Sequence, residues 1–134
     1  MTIEYRDTVD GIDAAHLAGF FAGWPDPPSR ERHLDLLRRS THRVLALDRG
    51  QVVGFVTAVS DGVLSAYVPL LEVLPGYQRR GIGTELMRRV LAKLEGLYMV
   101  DLSCDAELEP FYRRLGMLTL DRGMGLRNRK ALAE

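Results

Sequence analysis

The sequence has only one cysteine, Cys104, among its 134 residues. A single thiol excludes an intramolecular disulfide and a multi-cysteine zinc site. No apolar run approaches the ~20 residues that cross a bilayer, and residues 1–6 have no secretory apolar segment. We therefore expect a cytoplasmic protein that binds neither a membrane nor a metal ion.

Net charge is also absent, since 18 Lys and Arg residues balance 18 Asp and Glu residues. A protein whose main role is to bind nucleic acid needs a basic excess, so that function is not expected. Hydrophobic residues make up 46% of the chain, which is enough for a folded core. The length suits one compact domain, residues 1–134.

Apolar periodicity predicts a mixed α/β fold with helices on both faces of a sheet. The predicted strands are 3–5, 41–48, 52–60, 67–74 and 97–103, with a last hairpin or bent strand from 117–120 and 124–126. The predicted helices run from Asp10 or Asp13 to about Phe21, from 30 to 39 after a Ser29 N-cap, from Gly81 to Gly96, and from 107–109 to Gly116.

The segment 71–84 lies between a predicted strand and a predicted helix. Gly81 and Gly83 let the main chain approach a ligand closely, and the first amides of the helix lack internal partners. Together with the helix dipole, these amides form a site for phosphate oxygens, here a diphosphate. The alternative is a basic surface loop whose glycines form a turn and a cap. Leu86 replaces the third glycine of a dinucleotide fingerprint, and no P-loop is present.

Two stretches resemble a known family. Residues 73–83, Val-Leu-Pro-Gly-Tyr-Gln-Arg-Arg-Gly-Ile-Gly, resemble the acyl-CoA-binding motif of the GCN5-related N-acetyltransferases (GNAT), which reads Gln/Arg-x-x-Gly-x-Gly/Ala. Residues 110–117, Pro-Phe-Tyr-Arg-Arg-Leu-Gly-Met, are similar to its second signature, a Tyr followed four residues later by Gly. The order of predicted elements over nearly the whole chain also resembles that family.

The resemblance implies one GNAT-like domain with a mixed, mostly antiparallel sheet and a splayed strand pair that admits acyl-CoA. It implies that acetyl passes from acetyl-CoA to a primary amine of a small-molecule or protein acceptor by direct attack. A non-catalytic acyl-CoA-binding sensor or regulatory module is the alternative. Dimers are common in the family, so a homodimer is a further expectation.

The resemblance also assigns CoA-binding residues by position. The main chain of the splayed strand contacts the pantetheine arm, and the loop amides hold the diphosphate. The assigned residues are Val73, Leu74, Gln78, Arg79, Arg80, Gly81, Ile82, Gly83 and Thr84. Asp105 stands where many members have an asparagine that bonds the CoA arm, so that contact is altered or absent here. Asp105 is alternatively the cap of the short helix.

Two residues are expected to move protons. Tyr112 matches the family tyrosine that protonates the leaving thiolate. Glu72 is the first candidate for the base, because a carboxylate in an apolar strand must be paired, face a wet cleft or have a raised pKa. The alternative for Glu72 is an ion pair with an arginine such as Arg79 or Arg114. Asp101 is the second candidate base, and the Val73 amide is the expected oxyanion donor.

The acceptor side is expected at the connection 23–28, because this region forms part of the acceptor pocket in the family. Trp24 and the neighbouring prolines form a stiff apolar wall that Tyr67 extends, with Asp101 close by. Such a wall suits an aromatic, aliphatic or polyamine acceptor. Phe21 is expected in the core.

Overall fold

The computed structural model describes residues 2–133. A sheet of five strands forms its centre, in the order β1-β2-β3-β4-β5. The strands are β1 (Glu4–Arg6), β2 (His42–Asp48), β3 (Gln51–Ser60), β4 (Ser65–Val73) and β5 (Met99–Asp101). All neighbours are antiparallel except β4 and β5, which are parallel. The predicted mixed, mostly antiparallel sheet is therefore confirmed.

Helices pack on both faces of this sheet. The α-helices are α1 (Arg30–Arg39), α2 (Ile82–Lys93) and α3 (Glu109–Arg114). Short 3₁₀ turns lie at Ala14–His16, Pro75–Tyr77, Ala106–Leu108 and Arg129–Ala133. The face that carries α2 is here called the α2 face, and the face that carries α1 is called the α1 face.

Each face has its own apolar core. Leu86, Met87 and Val90 of α2 pack against Val44 and Val56 on the α2 face. The α1 face holds Leu34 and Leu37 of α1, together with Leu45, Phe55 and Phe21. Burial of each such side chain contributes roughly 1.5–3 kcal/mol, so the sheet is held rigid from both sides.

Local sequence signals place α1 and the first hairpin correctly. The Ser29 hydroxyl accepts a hydrogen bond from the Arg32 N–H at 3.1 Å and begins α1 at the predicted residue. Arg49 and Gly50 both have positive φ, at 52° and 82°, as a two-residue turn between antiparallel strands requires. Gly54 has a different role, because a Cβ there would lie only 3.2 Å from Leu86 of α2.

The predicted helix from Asp10 or Asp13 to Phe21 is wrong. The structure has only the turn Ala14–His16, which is capped by the Asp13 side chain. Gly19 and Phe21 then take left-handed φ values of 94° and 63°, which an α-helix does not accommodate. This region is a loop that lies against the α1 face.

The predicted last hairpin is also wrong, since residues 117–128 have no strand. The Thr119 side chain bonds Glu109 and Arg113 and so ties this segment to α3. Gly123 and Gly125 further disfavour strand pairing. Several boundaries also differ from the prediction. For example, α2 ends at Lys93 before Gly96, β4 begins at Ser65, and β5 is confined to Met99–Asp101.

Candidate functional site

A gap opens beside the second half of β4. Strand β5 pairs with β4 only from Ser65↔Met99 to Tyr67↔Asp101. On the other edge of β4 the register with β3 shifts between Thr57 and Val59, because Pro69 lacks the N–H that a regular ladder needs. Residues 68–73 of β4 therefore have β3 on one side and, within residues 2–133, no paired strand on the other.

The hydrogen bonds of β4 decide which main-chain groups face this gap. The Leu74 N–H donates to the Val53 carbonyl of β3 at 2.9 Å. Main-chain groups alternate along an antiparallel strand, so Glu72 also bonds towards β3 and Val73 faces the gap. The Val73 carbonyl accepts a bond from the Gln78 side chain at 3.0 Å. The Val73 N–H is thus the donor aimed into the gap, whereas the N–H of Leu74 is satisfied within the sheet.

The predicted anion loop lies at the start of α2. Gly81 is the N-cap residue with φ 81°, and no side chain caps the helix. The first helical bond is from the Glu85 N–H to the Gly81 carbonyl. The amides of Ile82, Gly83 and Thr84 therefore have no acceptor within the helix. Three adjacent main-chain donors of this kind fit the oxygens of a diphosphate.

Basic side chains flank the loop. Arg79 has a left-handed φ of 65°, and it is exposed, as Gln78 and Arg80 are. The Arg80 guanidinium lies over the Tyr77 ring, 5.4 Å from its centroid. The Tyr77 hydroxyl donates to Asp48 at 2.6 Å, which anchors the loop to the end of β2. The positive charge is thus held next to the helix amides.

A groove of about 710 Å³ between α2 and α3 continues from this loop. Sequence reasoning missed it, because its residues come from two helices that show ordinary amphipathic spacing. Its lining combines apolar side chains with two guanidinium groups and the carboxylate of Glu95. The lining includes Thr84, Arg88, Leu91, Phe111, Arg114 and Leu115.

Tyr112 lies on α3, half-buried, on the α2 face. Burial raises the pKa of its phenol, and the nearby Cys104 thiol adds to that effect. The Phe111 ring packs edge-on against it at 4.9 Å. Tyr112 therefore remains protonated at neutral pH and is able to donate its proton. Cys104 itself is exposed.

Glu72 lies on the opposite, α1 face. Its carboxylate accepts hydrogen bonds from the Phe21 N–H at 3.1 and 2.9 Å. Burial raises the pKa of Glu72, and the bond from Phe21 partly opposes this rise. Within residues 2–133, the hydrogen-bond partner of the Glu72 carboxylate is the Phe21 main-chain amide, and no ion pair joins Glu72 to Arg79 or Arg114.

The three expected acceptor residues lie on the same side as Glu72. Trp24 packs on Phe21 with ring centroids 5.0 Å apart and is 41% exposed. The Tyr67 hydroxyl donates to Ser103 at 3.0 Å, and Asp101 is the register partner of Tyr67. Tyr67 and Asp101 thus mark the point where β4 and β5 separate.

Asp105 is exposed and occupies the N-cap position of the turn Ala106–Leu108. Its side chain makes no capping bond, so its interpretation as a side-chain cap is wrong. Within residues 2–133 no group of three or more His, Cys, Asp or Glu side chains is arranged to hold a metal ion. Across the same residues, none of the helices has the length and apolarity to span a bilayer.

Comparisons with known proteins agree with this geometry. Residues 9–117 match the model of the acetyltransferase (GNAT) family. A candidate acetyltransferase from Deinococcus radiodurans R1 has a solved structure with TM-score 0.93 and 51% identity, over 98% of this chain and 92% of that one. An aminoglycoside N-acetyltransferase solved with CoA shares the fold at TM-score 0.69 and 16% identity, over 96% of this chain and 95% of that one.

Among curated proteins, the chain is 31% identical over 118 residues to the chloroplastic serotonin N-acetyltransferase 2 of Oryza sativa subsp. japonica. That match covers 83% of this chain and 59% of the rice protein. Two Arabidopsis thaliana GCN5-related N-acetyltransferases are matched over 31% and 60% of their lengths. The chain thus spans between about a third and three fifths of these curated relatives.

Proposed function

Because the chain belongs to the acetyltransferase (GNAT) family, we propose that it transfers the acetyl group of acetyl-CoA to a primary amine by direct attack. The observation that carries this proposal is the set of free amides at Ile82, Gly83 and Thr84 beside the gap along β4. Acetyl-CoA supplies the acyl group as a thioester, which an uncharged amine attacks without a covalent enzyme intermediate.

The diphosphate of CoA binds the amides at the start of α2, flanked by Gln78, Arg79 and Arg80. The groove between α2 and α3 extends from Thr84, so it receives the adenosine 3′-phosphate. Its apolar side chains suit the purine, and Arg88 and Arg114 suit the phosphate. The pantetheine arm then follows the open edge of β4, where Val73 offers its N–H. Asp105 accepts hydrogen bonds from the arm, since a carboxylate has no donor.

Glu72 and Tyr112 each carry out one of the two proton transfers of the reaction. Glu72 takes a proton from the attacking amine, directly or through water, since a pKa raised by burial suits a base near neutral pH. The Val73 N–H stabilises the oxyanion. Tyr112 gives its proton to the leaving thiolate, since its phenol stays protonated. Asp101 is the second candidate for the base.

The acceptor approaches from the α1 face, between Trp24, Tyr67 and Asp101. The aromatic wall supports an arylalkylamine, and the rice relative named as a serotonin N-acetyltransferase supports the same class. The chain needs no metal ion or nucleic acid for this reaction. We place it in the cytoplasm of its cell.

A homodimer is part of the proposal. Four apolar side chains of the C-terminal segment are 66–100% exposed; they are Leu118, Leu120, Met124 and Leu126. Their burial between two copies of the chain removes apolar surface from water. Strand β5 is also an unpaired sheet edge nearby in the chain. Light scattering should give twice the chain mass, and the Leu120→Asp variant should give the single mass.

The function is tested by CoA release from acetyl-CoA with a panel of arylalkylamines, polyamines, aminoglycosides and lysine peptides. Thiol release with at least one amine, together with the acetylated amine by mass spectrometry, is expected. Tight acetyl-CoA binding without release for any amine would instead identify a non-catalytic acyl-CoA sensor.

A further inference from the structure

The Glu72 carboxylate is held by a residue 51 positions away in the chain. The Phe21 N–H lies 3.1 Å from one carboxylate oxygen and 2.9 Å from the other. One donor shared between both oxygens leaves the remaining lone pairs available for a substrate proton. The bond therefore orients the carboxylate without blocking it.

The main chain that presents this N–H is in an uncommon conformation. Phe21 has φ 63°, which is left-handed and strained for a bulky side chain. Strained main-chain conformations persist only where the surroundings over-determine them, and they concentrate at functional sites. Gly19 and Gly23 on either side also have positive φ, at 94° and 85°, so the loop turns sharply around Phe21.

The side chain of Phe21 supplies the packing that holds this conformation. Its ring is only 3% exposed and contacts three rings from different parts of the chain. The ring centroids lie at 4.9 Å for His33, 5.0 Å for Trp24 and 6.0 Å for Phe55. The Phe21 ring is thus fixed by α1, by its own loop and by β3.

His33 contributes an uncharged imidazole ring to this aromatic cluster. It is 1% exposed, and neither of its ring nitrogens has a hydrogen-bond partner within residues 2–133. Burial lowers the pKa of His33 to about 4, so the imidazole is neutral at physiological pH. No charge on His33 therefore competes with Phe21 for the carboxylate.

We propose that Phe21 is a positioning residue for Glu72, in which a left-handed main chain, locked by the aromatic cluster, aims an amide at the catalytic carboxylate. This inference rests on the proposed role of Glu72 as the base. Trp24 extends the same cluster to the acceptor side, so the wall that contacts the acceptor also orients the base.

The ionisable side chains on the same face come from five elements of the fold. They include Glu4 and Arg6 of β1, His33 of α1, Arg43 of β2, Tyr67 of β4 and Asp101 of β5. The pKa of Glu72 responds to burial first and to the Phe21 N–H second, and no charged side chain is among the causes of its shift. Loss of the N–H bond alone should therefore raise the pKa of Glu72.

Two variants of Phe21 separate its main chain from its ring. Phe21→Asn and Phe21→Val both remove the ring, but Asn tolerates a left-handed φ and the β-branched Val does not. The carboxyl carbon of Glu72 is titrated by carbon-13 NMR, with its signal assigned by its loss in Glu72→Gln. Phe21→Val should raise the midpoint most. Phe21→Asn lacks the ring that locks the loop but tolerates the left-handed φ, so it should raise the midpoint less.

The two variants should also differ in kinetics. Phe21→Val should lower kcat by up to ~10²-fold, as expected for a misplaced catalytic group, and should leave the KM for acetyl-CoA unchanged, since CoA binds on the other face. Equal midpoints in all three proteins, or equal rises in both variants, would overturn the positioning role.

A measurement on the unmodified protein covers the case in which Phe21→Val does not fold. The Phe21 amide proton should shift with pH together with the Glu72 carboxyl, and the shift should vanish in Glu72→Gln. A Phe21 amide proton whose chemical shift does not change as Glu72 titrates would refute the inference. Neither NMR measurement requires turnover. If no amine in the panel were acetylated, that result would contradict the proposed function alone, and the NMR measurements would still test the role of Phe21.

Discussion

Glu72 and Tyr112 lie on opposite faces of the central sheet. Glu72 bonds Phe21 within the α1-face core, and Tyr112 packs against the α2-face core. Between them β4 has an open edge that β5 does not cover. The proposed base on one face and the proposed acid on the other suit a reaction in which amine and thioester meet through that opening.

Replacing Tyr112 by Phe should lower kcat by ~10²–10⁴-fold, because the variant has no proton to give to the thiolate. Tyr98→Phe is the matched control, since Tyr98 is 83% exposed and outside the proposed site. In the unmodified protein, the proposed activity should fall as pH rises through the raised pKa of Tyr112. If steady-state rates of Tyr112→Phe and Tyr98→Phe were equal, Tyr112 would not be the acid.

Replacing Glu72 by Gln should lower kcat/KM by ~10²–10⁴-fold and remove the acidic limb of the pH profile. Burial places the pKa of Glu72 above its ordinary 4.5, so activity should be lost as pH falls through that raised value. Glu31→Gln on the exposed side of α1 is the control. A retained acidic limb in Glu72→Gln would transfer the role to Asp101 or to water.

Replacing Gly81 by Val should weaken CoA binding through strain rather than through a clash. Gly81 has φ 81° and open space at its Cβ position, and a left-handed φ costs other residues about 1–2 kcal/mol, or roughly tenfold in Kd. Gly76→Val is the control, because Gly76 has equal space and no positive φ. Calorimetry that gives both variants the same Kd would refute the loop geometry.

Replacing Arg114 by Ala should weaken binding of CoA more than binding of 3′-dephospho-CoA. The guanidinium lines the groove that we assign to the 3′-phosphate, and a charge-assisted hydrogen bond contributes about 1.5–3 kcal/mol. The ratio of the Kd for 3′-dephospho-CoA to the Kd for CoA should therefore fall by roughly tenfold or more. Arg38→Ala, exposed on α1, should leave the ratio unchanged.

The parts of the fold that follow local rules were predictable. Ser29 and the buried Leu34 and Leu37 define α1 by capping and spacing. The loop before α2 was predictable as an anion site because the first amides of any helix lack partners within it. These signals depend on a few adjacent residues, so the sequence displays them directly.

Other features depend on contacts that are distant in the chain. The left-handed Phe21 ends the expected first helix only because a cluster of rings from α1 and β3 fixes it. The partner of Glu72 is a main-chain amide, which no residue type reveals. The groove between α2 and α3 likewise arises from packing of two helices, and residues 117–128 bond α3 instead of joining the sheet.

A crystal structure with CoA bound tests the central claim most directly. The account predicts diphosphate oxygens within hydrogen-bond distance of the amides of Ile82, Gly83 and Thr84, with the thiol in the gap beside Val73. CoA bound elsewhere, with those amides turned to solvent, would contradict it.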